Sequence, residues 1–144
     1  MRPTRIHRAA SMCRMTSRAA TRATGRCLCG AVRYEIHGPL REVTLCHCGE
    51  CRRWHGHICA MTAAQSDHLR LVSDTGLRWI DSPESAAHAR RGFCGKCGSS
   101  LFWDAPDDDT ISISAGTLDA PTGLRTVEQI YTEDAGDYYE IESL

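Results

Sequence analysis

The chain has 144 residues, of which 42% are hydrophobic and 24% charged, so it fits one ordinary globular domain. No apolar run approaches the roughly 20 residues that a membrane-spanning helix needs, which argues against an integral membrane protein. Residues 1–24 contain six of the 17 basic residues and no acidic residue, so the rest of the chain is acidic. An acidic domain lacks the clustered basic residues of a nucleic-acid-binding surface, which argues against nucleic-acid binding.

Residues 1–24 are rich in Arg, Ser, Thr and Ala and show no apolar periodicity. We predict a disordered basic N-terminal extension over residues 1–24, followed by a single domain over residues 25–144. The composition also suits an organelle transit peptide, and a start codon assigned too early, with Met12 or Met15 as the true start, is a further alternative. Because no apolar stretch follows the basic residues, we expect a cytoplasmic protein without a secretory signal.

From residue 25 onward, short apolar or alternating runs separated by turn residues predict a series of strands. In chain order they span 31–36, 43–46, 58–62, 69–72, 77–80, 91–93, 101–103, 110–115, 127–132 and 138–141. Ile111 and Ile113 are expected on one face of their strand, because alternate strand residues share a face. Residues 50–57 predict a short helix, and the fold is therefore predicted to be mostly β.

Seven of the nine cysteines fall in three tight clusters, which favours metal binding over a disulfide framework. The first cluster is Cys27 and Cys29. If this segment is a strand, both sulfurs lie on one face while Leu28 points into the core. This pair alone supplies half of the ligands that a tetrahedral zinc site requires.

Cys94 and Cys97 form a C-x-x-C turn in which Gly95 and Gly98 permit a tight backbone. Together with the first pair, these cysteines predict a closed four-thiolate zinc site of the structural kind. The rival interpretation is a thioredoxin-like redox pair. That motif opens a helix, whereas residues 99–103 have the character of a strand.

The middle cluster has three cysteines, Cys46, Cys48 and Cys51, and no obvious fourth. Three protein ligands with one open position are the pattern of a catalytic zinc. His47 lies between two of the cysteines and should face away from them, so we predict that it is a core residue or supports the ligands. The cluster is therefore the predicted reactive centre.

The fourth position of the middle cluster has several candidates. His55, His57, Cys59 or a water could occupy it, and a protein ligand there would make the site structural. Arg52 and Arg53 follow the cluster directly and would suit a carboxylate-bearing ligand, although two adjacent arginines are more often solvated surface.

The motifs over residues 25–34, 46–56 and 93–103 resemble those of the glutathione-dependent formaldehyde-activating enzyme family, which also includes centromere protein V. Residues 111–119 and the tyrosine-rich end at 138–141 are similar to the family as well. The three cysteine clusters occur in the family's order and spacing, which makes the resemblance specific.

The resemblance implies a β-tent fold of the Mss4-like zinc-binding group and two zinc ions per chain. The implied ligands are Cys27, Cys29, Cys94 and Cys97 for the structural ion, and Cys46, Cys48 and Cys51 for the catalytic one. The implied activity is the condensation of formaldehyde with glutathione to S-hydroxymethylglutathione, classed as that of a carbon–sulfur lyase. The partners would then be a small thiol and an aldehyde, with no nucleic acid and no membrane.

Two other functional classes compete with an enzyme. One is a non-enzymatic zinc module that binds a partner protein, which a fully coordinated middle zinc with no adjacent pocket would favour. The other is a thiol-redox or metal-buffering protein, which easily oxidised middle cysteines and reversible release of zinc would favour.

Overall fold

Short strands dominate the computed structural model, which describes residues 22–83, 85 and 87–144. The strands are β1 (Ala23–Arg26), β2 (Val32–Ile36), β3 (Val43–Cys46), β4 (Cys59–Gln65), β5 (Leu69–Asp74), β6 (Leu77–Asp81), β7 (Arg90–Cys94), β8 (Ser100–Asp104), β9 (Thr110–Ser114) and β10 (Thr126–Ile130). The helix α1 (Gly49–His55) lies between β3 and β4, and single 3-10 turns occupy Ser66–His68, Ala115–Thr117 and Thr132–Asp134. The predicted mostly β, cysteine-stapled single domain is confirmed.

The strands form two sheets. The small sheet has the order β1-β2-β5, and the large sheet has the order β10-β3-β4-β9-β8-β7-β6. Neighbouring strands are antiparallel except for β10 and β3, which run parallel. Within the described residues, no helix has the length and apolar character needed to cross a membrane.

The core lies where the apolar faces of the two sheets meet. From the small sheet, Val32, Tyr34 and Ile36 alternate along β2 and are almost completely buried. From the large sheet, Ile113 and Phe102 are cross-strand partners, and the Phe102 ring meets the Tyr34 ring edge-on at 5.3 Å between centroids. Such alternation buries one face of each sheet and removes its apolar area from water. The prediction that Ile111 and Ile113 share a face is confirmed, since both are buried in this cluster.

The other face of the large sheet is more polar and leads to the candidate site. Arg91 in β7 is the partner of Trp103 in β8, which in turn is the partner of Ser112 in β9. Because alternate residues point to opposite faces, these three side chains lie on the side away from the core. The large sheet therefore carries the core on one face and a polar row on the other.

The first strand begins two residues before the predicted start of the domain at residue 25. β1 begins at Ala23, and the Thr24 hydroxyl donates a 2.6 Å hydrogen bond to Asp119. Residues 22–24 therefore belong to the folded part, while residues 1–21 of the predicted extension lie outside the described residues.

The predicted strand over 138–141 is wrong, because this segment is irregular and pairs with no strand of the described chain. Its tyrosines instead pack on two histidines, with the Tyr138 ring 5.6 Å from His57 and the Tyr139 ring 5.7 Å from His47. Aromatic residues have high strand propensity, and here contacts from another part of the chain override it. The helix predicted over 50–57 is confirmed as α1, which ends where Gly56 adopts a left-handed conformation.

Substitution of Gly25 tests how closely β1 packs against its neighbours. A Cβ atom there would lie 2.3 Å from the buried Tyr34 ring and 2.7 Å from the Thr117 carbonyl oxygen. Gly25→Ala should therefore lower the free energy of unfolding by about 1–3 kcal/mol, measured by urea denaturation of the metal-loaded protein. The control Gly116→Ala, where nothing lies within 4 Å, should change it by less than about 1 kcal/mol. Equal effects would contradict the close packing of β1.

Candidate functional site

Four cysteine sulfurs meet between the two sheets. The Sγ atoms of Cys27, Cys29, Cys94 and Cys97 all lie within 4.8 Å of one another. Cys29 Sγ is 3.6 Å from Cys27 Sγ and 3.8 Å from Cys94 Sγ. Tetrahedral zinc with Zn–S bonds of about 2.3 Å places sulfurs about 3.8 Å apart. The donor set and its spacing therefore fit a metal ion such as zinc.

A turn rather than a strand presents the first pair. Residues 27–31 connect β1 to β2, and Cys27 Sγ accepts a 3.3 Å hydrogen bond from the Val32 backbone amide. The prediction that Leu28 points into the core is wrong, since it is 80% exposed. The turn buries Cys27 and leaves Cys29 and Leu28 exposed, whereas the alternation of a strand would have placed Leu28 on the face opposite to both cysteines.

In the second pair, Cys94 ends β7 and Cys97 lies in the turn between β7 and β8. Gly98 has a φ of 81°, which favours glycine, and its amide donates a 2.7 Å hydrogen bond to the Cys94 carbonyl. The Ser99 hydroxyl contacts Cys97 Sγ at 3.2 Å and accepts a 2.9 Å hydrogen bond from the Leu28 amide, so it links the two turns. The hydrogen bond from Ser99 lowers the pKa of Cys97 to about 5. A strand follows this turn, which disfavours the thioredoxin-like interpretation.

Cys46, Cys48 and Cys51 form a second group of sulfurs within 4.8 Å of one another. Cys46 ends β3, Cys48 is the N-cap of α1, and Cys51 lies in its first turn. The Cys51 amide donates a 3.3 Å hydrogen bond to Cys48 Sγ, so one sulfur also caps the helix. This group also fits a thiophilic metal ion.

His47 is a core residue. It is completely buried, and its Nδ1 lies 2.8 Å from the Tyr139 hydroxyl while its Nε2 lies 3.0 Å from Gln129 Oε1. Both ring nitrogens therefore have protein partners. The predicted orientation away from the cysteines agrees with these contacts. Gln129 lies in β10 and Tyr139 in the C-terminal segment, so both elements support the cysteine loop.

The three protein candidates for a fourth ligand of the middle cluster, His55, His57 and Cys59, have different surroundings in the structure. His57 Nδ1 contacts the Tyr138 hydroxyl at 3.1 Å, and burial lowers the pKa of His55. Cys59 is 2% exposed and is the cross-strand partner of Cys46. Cys59 nevertheless does not belong to the group of sulfurs within 4.8 Å of one another. Among the described residues, the close group therefore contains three sulfurs and no fourth ligand.

A buried arginine accompanies the middle cluster. Arg91 Nη2 lies 3.8 Å from Cys51 Sγ and 3.2 Å from Glu50 Oε1, and Arg91 Nε lies 3.1 Å from Ser82 Oγ. The neighbouring thiols of Cys46 and Cys59, together with Arg91, hold the pKa of Cys51 well below its usual range. The guanidinium therefore favours the thiolate form of Cys51.

A cavity of about 640 Å³ opens beside the middle cluster. Its wall includes the three cysteines of the cluster, Cys59 and the polar face of the large sheet. The start of α1 and the segment after β10 complete the wall. Tyr131, in that segment, has a φ of 55°, a conformation that non-glycine residues rarely adopt. A ligand in this cavity can reach the three sulfurs.

The charged residues of the cavity are not those that the sequence suggested. Arg52 and Arg53 do not contribute to the described wall, whereas Arg41 and Arg91 do. Arg41 precedes β3 and Arg91 lies in β7, far from the cluster in sequence. The strand pattern predicted β7 but offered no signal that one of its arginines would contact Cys51.

Comparisons with known proteins identify related sequences and folds. The family model described as glutathione-dependent formaldehyde-activating enzyme matches residues 22–134. A crystal structure of a Rhodobacter sphaeroides protein, a structural-genomics target, is similar with 26% sequence identity and a TM-score of 0.56. The similarity covers 74% of this chain and 98% of that chain. A comparison with curated proteins finds no match.

The two clusters should differ in their effect on folding. Cys97→Ser removes one of the four sulfurs that meet between the two sheets, so we expect loss of one metal equivalent and aggregation or a large fall in Tm. Cys48→Ser keeps a good N-cap residue for α1 and disturbs only the second group, so the protein should stay folded. Metal content and thermal unfolding measure both results. Equal aggregation of the two variants would refute the division.

Proposed function

Because the chain belongs to the family of glutathione-dependent formaldehyde-activating enzymes, we propose that it condenses a formaldehyde-like aldehyde with a glutathione-like thiol. In this proposal Cys46, Cys48 and Cys51 hold a catalytic zinc ion, and the four-cysteine cluster holds a structural one. The reaction is that of a carbon–sulfur lyase running in the direction of synthesis. The cysteine-rich clusters suit a reducing compartment such as the cytoplasm.

The observation that carries the proposal is the cavity beside the three-cysteine cluster. A closed structural site has four protein ligands, whereas a catalytic site has three protein ligands and an open position for water or substrate. A cavity of about 640 Å³ is within the usual range for small-molecule sites. This arrangement supports an enzyme over a partner-binding module, which would have no need of the cavity.

In the proposed reaction the thiol sulfur forms a bond to the carbonyl carbon, the carbon–oxygen π bond breaks, and the proton of the thiol ends on the oxygen. A thiol attacks as its thiolate, and a free thiol with a pKa near 8.5 is mostly protonated at neutral pH. A zinc ion held by the three cysteines would supply this deprotonation. The cavity wall then brings the two reactants together, which favours bond formation by proximity.

In this scheme Arg91 offsets part of the negative charge of the three-cysteine cluster. Three cysteine thiolates concentrate negative charge, and a buried guanidinium 3.8 Å from Cys51 Sγ offsets part of it. The same guanidinium nitrogen, Nη2, also lies 3.2 Å from Glu50 Oε1. The pair thereby positions a positive charge beside the cluster without leaving it unpaired in the interior.

The proposal predicts turnover together with a metal-centred response to thiols. The protein loaded with cobalt should change the visible and thiolate-to-metal absorption of one metal equivalent when glutathione is added. Formaldehyde added afterwards should reverse the change as the thiol is consumed. Cys48→Ala should abolish both the spectral response and formaldehyde-dependent consumption of glutathione. A spectrum indifferent to millimolar thiol would favour a binding module instead.

Cys59 tests whether the fourth position is open. Since Cys59 lies outside the close group of sulfurs, Cys59→Ala should retain its metal content, its cobalt spectrum and its response to glutathione. Cys51→Ala, the control within the group, should lose one metal equivalent. If Cys59→Ala shifts the cobalt spectrum before thiol is added, Cys59 is a fourth ligand and the position is closed in the resting protein.

A further inference from the structure

The two arginines on the wall of the cavity differ in whether a carboxylate neutralises the charge of their guanidinium group. Arg91 is 6% exposed, and Glu50, Ser82 and Cys51 all contact its guanidinium. Arg41 is exposed, and among residues 22–83, 85 and 87–144 no carboxylate lies within salt-bridge distance of it. The wall of the cavity thus carries one paired and one unpaired guanidinium.

The backbone of Arg41 is held firmly against β4. Its amide donates a 2.9 Å hydrogen bond to the Ala63 carbonyl, and its own carbonyl accepts one from the Thr62 hydroxyl. These contacts use only main-chain atoms of Arg41, so they do not depend on its side chain. The Cα position from which the side chain extends is therefore well defined.

The side chain of Arg41 makes one described protein contact. Its Nη2 donates a 3.3 Å hydrogen bond to the carbonyl of Met61, a neighbour on the cavity wall. A guanidinium has five N–H donors, so donors remain for a ligand. The planar fork of a guanidinium matches the two oxygens of a carboxylate.

We propose that Arg41 forms a carboxylate subsite of the cavity and selects thiols that carry a carboxylate group. The proposal rests on the proposed function in one respect. It takes from that function that the ligand is a thiol and that its sulfur reaches the three-cysteine cluster. The subsite would anchor the end of the ligand distant from the sulfur. Its binding of a carboxylate can be measured without turnover.

The charge distribution defines the preferred ligand further. The described charged residues of the wall are Arg41, Arg91, Glu50 and Asp134. Since Glu50 already contacts Arg91, Arg41 and Asp134 are the exposed charges that face an incoming molecule. A thiol with a carboxylate and an ammonium group, as glutathione has, is compatible with both. A thiol without a carboxylate leaves Arg41 unused.

The direct test measures binding of S-methylglutathione to the metal-loaded full chain by calorimetry. This probe has no free thiol, so its affinity reports the contacts of the cavity rather than thiolate binding by a metal. Arg41→Gln should raise Kd by about 10- to 100-fold, the range expected for loss of a hydrogen-bonded charge contact. Arg41→Lys should recover part of the affinity, because it restores the charge without the fork.

Arg53→Gln is the matched control, because it removes an exposed arginine that is absent from the described wall. It should bind S-methylglutathione like the unaltered protein. Metal content and Tm should be equal in all three variants, since the side chain of Arg41 is not needed for its main-chain hydrogen bonds.

A series of thiols tests the selectivity. With formaldehyde as co-substrate, Arg41→Gln should lower kcat/KM for glutathione and 3-mercaptopropionate about 10-fold or more, mainly through KM. 2-Mercaptoethanol should react equally well with both proteins. Cysteamine should react equally well or better with the variant, because a repelling cation has been removed.

The outcomes separate this proposal from the proposed function. Tight binding of S-methylglutathione that Arg41→Gln abolishes supports the subsite even if no thiol is turned over. Turnover of glutathione with unchanged selectivity in Arg41→Gln overturns the subsite and leaves the enzymatic proposal in place. The subsite is also overturned if the unaltered protein does not bind S-methylglutathione at millimolar concentration, or if Arg41→Gln binds it equally well.

Discussion

The four-cysteine cluster is the constraint on which the two-sheet arrangement depends. Two of its sulfurs come from the β1–β2 turn of the small sheet, and two come from the end of β7 and the turn that follows it in the large sheet. Cys29 and Cys94 are 65 residues apart in sequence. Bringing such distant segments together costs chain entropy, and a shared metal ion would offset that cost with binding energy. The apolar core between the sheets then needs to supply only the remaining stability.

The large sheet uses its two faces for different purposes. One face packs Phe102 and Ile113 against the small sheet, and the other presents Arg91, Trp103 and Ser112 toward the cavity. Because these residues alternate along paired strands, the packing that orders the core also determines the positions of the polar row. Strands that pack against a core have a fixed backbone, so they can hold reactive side chains in precise positions.

The two cysteine clusters of this domain have different compositions and surroundings. The first cluster contains four cysteines, and the backbone amide of Val32 donates a hydrogen bond to the sulfur of Cys27. The second contains three, adjoins a cavity, and has the buried Arg91 beside Cys51. The two clusters therefore differ both in their number of sulfurs and in the groups around them, and such surrounding groups tune the properties of a metal centre.

The sequence by itself determined the strand-rich fold, the membership of each cysteine cluster and the short helix, because these depend on residue periodicity and close spacing along the chain. It misplaced Leu28, which is exposed in a turn, and the 138–141 strand, where Tyr138 and Tyr139 pack on histidines instead. Only the tertiary structure decided that Arg41 and Arg91 line the cavity while Arg52 and Arg53 do not. The reason is that strand order and register bring together residues distant in sequence, and no local pattern encodes those distances.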